Sequence, residues 1–71
     1  MAKEIKAHIT GTVWKIEVKA GDPVSEGTVV AILESMKMEM PVEAEDEGVV
    51  DEILVKEGQA VTEGAPLVRL R

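Results

Sequence analysis

Few side chains in this sequence are equipped for chemistry. Its 71 residues include no Cys and a single His, which excludes disulfides, thiolate nucleophiles and a conventional zinc site. His8 has no Ser or Cys nucleophile beside it in a recognisable motif and reads as an exposed strand position. Glu43, Glu45, Asp46, Glu47, Asp51 and Glu52 form an acidic stretch, but without the D-x-[DN]-x-[DN]-G loop of a calcium site they read as a solvated or partner-facing surface. Neither G-x-G-x-x-G nor G-x-x-x-x-G-K-[ST] occurs, so no phosphate cradle is implied. What remains is Glu34-Ser35-Met36-Lys37-Met38-Glu39, in which an amine is set between two thioethers and, further out, two carboxylates. A lysine amine is a nucleophile toward activated acyl groups once it has lost its proton. No residue is assigned as catalytic.

The elements that must hold this hexapeptide follow from a self-comparison. At a shift of 37 residues, Ala7, Gly11, Val13, Ile16, Val18, Lys19, Gly21, Val24, Glu26, Gly27 and Leu33 recur as Ala44, Gly48, Val50, Ile53, Val55, Lys56, Gly58, Val61, Glu63, Gly64 and Leu70. The repeat units are residues 4–34 and 41–71, joined by a hairpin link at 35–40, and the whole chain, 1–71, is one domain. Two copies are too few for a solenoid, so they are expected to close on each other about a pseudo-twofold axis. Short runs rich in Val, Ile and Thr, broken at glycines and at Gly21-Asp22-Pro23, predict an all-β fold: a flattened sandwich or barrel of two four-stranded antiparallel sheets. Strands are expected near 4–10, 12–18, 28–34, 39–45, 48–55 and 66–70, with short extended pieces at Val24 and Val61. Each sheet should come mainly from one copy, with some strand exchange. Val13 and Ile16 differ in parity while Ile16 and Val18 agree, and the same slip recurs at Val50, Ile53 and Val55, which predicts a β-bulge at 14–15 and 51–52. Trp14 corresponds to Asp51, so symmetry predicts partial exposure; a buried Trp breaking the symmetry is the alternative. Gly21, Gly27, Gly58 and Gly64 flank turns that call for positive φ.

Composition bounds the function. One domain of this size has little room for an enclosed active site, yet 45% hydrophobic residues suffice for a core that must be stable without staples. A net charge of -6 opposes contact with nucleic acid or anionic membrane surfaces. The N-terminus meets charge at Lys3, Glu4 and Lys6, so it offers no apolar targeting segment, and a cytoplasmic location is the default expectation. If one strand ends at Leu33-Glu34 and the next begins at Glu39-Met40, Met36 and Lys37 form the tip of a tight hairpin. Such tips favour Gly, Asn or Asp. Exposed methionines there break both turn and burial preferences, as is expected mainly at functional sites. The bland alternative makes Met36, Met38 and Met40 core fillers and Lys37 an ordinary solvated turn residue.

The hexapeptide closely resembles the E-[AS]-M-K-M motif of biotinyl domains in biotin-dependent carboxylases and decarboxylases, with Ser35 in place of the commoner Ala. The resemblance extends over essentially the whole chain, through its twofold repeat and the G-x-x-V-x-x-G turns at Gly21–Gly27 and Gly58–Gly64. It implies that Lys37 is the site of covalent biotin attachment by a biotin protein ligase, with Glu34, Ser35, Met36, Met38 and Glu39 as ligase recognition residues. It further implies a non-catalytic carrier that serves biotin carboxylase and carboxyltransferase components and is monomeric in isolation. Lys19 passes to Val24 without room for the thumb insertion of some bacterial acetyl-CoA carboxylase carriers, so thumbless biotinyl domains and small free-standing biotin/lipoyl attachment proteins look closer. Lipoyl domains share the fold and the hairpin lysine, which leaves lipoate on Lys37 as the alternative, although their acceptor is usually set in D-K-[AV]-type surroundings. An unmodified β-sandwich adaptor is a third reading that leaves Met36-Lys37-Met38 unexplained.

Overall fold

A computed structural model describes residues 3–71; Met1 and Ala2, included in the expected domain, lie outside the described residues. The β-branched runs form eight strands: β1 (Lys3–Lys6), β2 (Gly11–Ile16), β3 (Pro23–Val24), β4 (Val29–Ser35), β5 (Met38–Glu43), β6 (Gly48–Ile53), β7 (Ala60–Val61) and β8 (Pro66–Leu70). They make two four-stranded antiparallel sheets, ordered β1-β8-β6-β3 and β5-β4-β2-β7. Gly21, Gly27, Gly58 and Gly64 all adopt φ between 90° and 95°, the left-handed backbone expected of them.

The strand exchange is symmetric. Each copy supplies the two central strands of one sheet and edge strands of the other, so each sheet is centred on one copy, as expected. Hydrogen bonds between copies fasten the exchange. The Gly21 N–H donates to the Val50 carbonyl (2.7 Å) and the Gly58 N–H to the Val13 carbonyl (2.6 Å). The Gly27 N–H donates to Ala44 (2.9 Å) and the Gly64 N–H to Ala7 (2.8 Å), so each turn is fastened to a strand of the other copy. The same contacts shorten the first expected strand. Ala7 bonds to the loop at Gly64–Ala65, and the Glu63 N–H donates to the Thr10 hydroxyl, so residues 7–10 cross the other copy instead of extending β1. His8 is exposed, as expected, but lies in a bend and not in a strand.

Both bulges are present: the β2–β4 register slips between Val13 and Lys15, and the β6–β8 register between Val50 and Glu52. Between the sheets lie only aliphatic side chains, with Val13, Val30, Leu33, Val50 and Leu67 fully buried. No polar or charged residue is buried among those described. A core built of Val, Leu, Ile and Ala has few rotatable bonds to freeze and no polar group to satisfy, which suits a small sandwich without staples. Trp14 is 48% exposed, as the symmetry predicts, and Met36, Met38 and Met40 all lie outside the buried core.

Candidate functional site

The site is the turn joining β4 to β5. Leu33 pairs with Met40, Glu34 with Glu39 and Ser35 with Met38, which leaves Met36 and Lys37 as a two-residue loop. Leu33 anchors the ladder in the core, so the hairpin is fixed at its base while its tip projects. Two-residue hairpins that follow the right-handed twist of their strands use type I′ or II′ turns, and the type I′ form takes positive φ at both central positions. Met36 and Lys37 supply it, at φ of 51° and 67°, without being Gly, Asn or Asp. Side-chain-bearing residues in this region cost roughly 1 kcal/mol or more each. The strain is therefore held by the ladder beneath the turn and not chosen by the turn residues.

Exposure at the tip is extreme for thioethers. Met36 is 92% and Met38 62% exposed, whereas Met40, on the Leu33 row, is half-buried. Lys37 is exposed and takes part in none of the ion pairs among the described residues. Ser35 is half-buried at the base. Glu34 and Glu39, directly opposite each other and both exposed, put two like charges on one rung, an arrangement that costs stability. The tip thus presents a single primary amine flanked by apolar side chains above a carboxylate collar, with its backbone held rigid.

Gly11 is the residue at this site that the sequence did not single out. A Cβ there would lie 2.5 Å from the Glu34 carbonyl oxygen, so only glycine lets β2 begin hard against the base of the hairpin. Its recurrence as Gly48 was the available signal; there a Cβ would lie 3.3 Å from the side chain of Leu70, the last residue of β8.

The other candidates stay apart from this tip. Asp51 and Glu52 are tied to arginines: Arg69 Nε lies 3.1 Å from Asp51 and Arg69 Nη2 2.6 Å from Glu52, with Arg71 Nε 3.3 Å from Asp51. Hydrogen bonds from Arg71 and then Arg69 hold the Asp51 carboxyl below its ordinary pKa. Glu43, Glu45, Asp46 and Glu47 are exposed, and no group of acidic, His or Cys side chains among the described residues is arranged to hold a metal ion.

A family described as "Biotin-requiring enzyme" matches residues 1–70. The Biotin/lipoyl attachment protein of Bacillus subtilis is 48% identical over 66 residues, which cover 93% of this chain and 90% of that protein. The Biotinylated protein TB7.3 homolog of Mycobacterium leprae is 39% identical over 64 residues, 90% of each chain. Among solved structures, the urea carboxylase of Kluyveromyces lactis superposes with a TM-score of 0.92 at 37% identity, over 100% of this chain but 6% of that one. The chain therefore spans nearly the full length of its small relatives and a small fraction of the large one.

Proposed function

The chain belongs to the biotin/lipoyl attachment family, and from that premise we propose that it is a biotin carboxyl carrier, with Lys37 as the residue to which biotin is amide-linked. The observation that carries this reading is the Met36-Lys37 tip, an exposed amine on a rigid, strained two-residue turn between exposed methionines. A relative of nearly the same length is named for its biotinylation, which supports biotin over lipoate on the shared lysine.

The residues fit such a group. An amine on a projecting tip can enter a ligase's active site without the sandwich opening, and the buried Leu33 row keeps the tip from folding inward. An amine attacks an activated acyl group only once it has lost its proton. No base at this tip is placed to remove its proton, so deprotonation and activation of the biotin carboxyl fall to the biotin protein ligase. The amine nitrogen then forms the C–N bond as the activating group leaves and its proton passes to the ligase. Met36 and Met38 offer apolar contacts, and Ser35, Glu34 and Glu39 polar ones, by which the ligase recognises this lysine among the others. Attached biotin supplies the carboxyl-carrying chemistry. The protein supplies a rigid body and a tether, which replaces diffusion between a biotin carboxylase and a carboxyltransferase by a high effective concentration.

The described residues contain no helix long and apolar enough to cross a membrane, and the reading places the carrier in the cytoplasm, monomeric when isolated. Incubation with a biotin protein ligase, biotin and ATP tests it: the wild-type chain becomes reactive to streptavidin and Lys37→Arg stays silent. Equal labelling of the two proteins would overturn the assignment.

A further inference from the structure

Trp14 is the only aromatic residue in the chain and is nearly half exposed, and nothing in the fold or in the attachment role accounts for it. It sits in the β2 bulge, which turns it outward between fully buried Val13 and exposed Lys15. Its counterpart in the other copy shows what such a bulge carries when it is structural. There Asp51 occupies the bulge and is locked by Arg69 and Arg71. The positions equivalent to those arginines are Ile32 and Glu34. Beside Trp14 the ion-pair lock is thus replaced by an apolar neighbour, Ile32, on the sheet that bears the attachment hairpin.

Reach selects the occupant. Ile32 pairs with Lys15 next to the bulge. From that row to the tip is about 13 Å along β4, and Lys37, which leads into β5 on the far side of β4 from β2, is offset from β2 by one to two strand spacings, about 5–10 Å. The straight-line separation is therefore about 14–16 Å. An amide-linked biotin on Lys37 places its ring about eleven bonds from the Cα, about 14 Å when extended, at roughly 1.5 Å per bond and ordinary bond angles. The fused ring extends beyond that point, so the nearly extended arm spans the separation. An indole face offers the apolar thioether half of the fused ring a packing surface that needs no further protein motion, with the polar urea edge left toward water.

We infer that Trp14, with Ile32 beside it, is a resting site on which the ring carried by Lys37 lies when it is in neither catalytic partner. The inference rests on the biotin reading. Its consequence is a carrier that shields its own ring from water between transfers and releases it by breaking one apolar contact.

Because Trp14 is the only tryptophan, its fluorescence reports the contact directly. Chain prepared with and without ligase treatment, with peptide mass mapping to locate the modification, is compared for emission maximum and for quenching by acrylamide. Biotinylated chain should emit at shorter wavelength and quench about twofold less than the unmodified chain if the contact is occupied at least half of the time. Free biotin at the same concentration should change neither. Streptavidin should also capture biotinylated Trp14→Thr about twofold faster than biotinylated wild type, since the free-ring fraction rises. Unchanged emission and quenching in chain whose Lys37 is verified as biotinylated would overturn the resting site alone. A chain whose Lys37 stays unmodified would overturn the biotin reading and this inference with it.

Discussion

At the scale of single residues, the β4–β5 hairpin tip is a place where stability is given up. Met36 and Lys37 hold positive φ with full side chains, whereas Asn-Gly would take the same two-residue turn with less strain. Replacing Met36 with Asn and Lys37 with Gly should therefore raise stability by about 1–2 kcal/mol, read from chemical denaturation, while removing the proposed acceptor amine. Lower stability would mean that the methionine or lysine side chain makes a packing contribution that its exposure denies. The motif itself was legible, because Met-Lys-Met at a hairpin tip breaks turn and burial preferences together. The positive φ values were not. Turn rules read from these residue types register only a mismatch, and it takes the two-residue pairing of Ser35 with Met38 to show that the backbone nevertheless adopts the conformation. Trp14 was placed correctly by symmetry with Asp51, but the replacement of an arginine lock by Ile32 became visible only once the registers were known.

At the scale of elements, the two bulges show how one backbone device takes two chemistries. The parity slip shared by Val13–Ile16 and Val50–Ile53 was enough to predict both. The side chains that hold the second come from β8 and the residue that follows it, which no local pattern reveals. The Asp51 carboxyl, held below its ordinary value of 3.8 by hydrogen bonds from Arg71 and Arg69, contributes stability that is present above that value and is lost as pH falls through the depressed one. Thermal melts between pH 7 and pH 2 should show wild type losing more stability below about pH 4 than Asp51→Asn does, with the difference shrinking at high salt because the pairs are solvent-exposed. Parallel acid profiles for the two proteins would remove the ion pairs from the bulge's support. Strand ends were the poorest part of the sequence reading. Residues 7–10 alternate like a strand, but their hydrogen-bond partners lie near Gly64, more than fifty positions away, and composition carries no record of that contact.

At the scale of the whole molecule, the repeat explains how so short a chain becomes a rigid carrier. Each sheet takes its centre from one copy and its edges from the other, and glycine turns of each copy are bonded to strands of the other. Residues 1–37 and 38–71, prepared as separate peptides, should each lack the strand signal of the intact chain in circular dichroism, because either half alone leaves its core face open. A half that folds alone would contradict the interlocked account. The sandwich, once closed, needs no catalytic groups, and its body is elongated, 33 Å in its longest dimension. The most direct test is peptide mass mapping of the chain isolated from cells that contain both biotin and lipoate ligases. The account predicts one modification, biotin on Lys37, with Lys3, Lys6, Lys15, Lys19 and Lys56 free; lipoate on Lys37, or biotin on any other lysine, would contradict it.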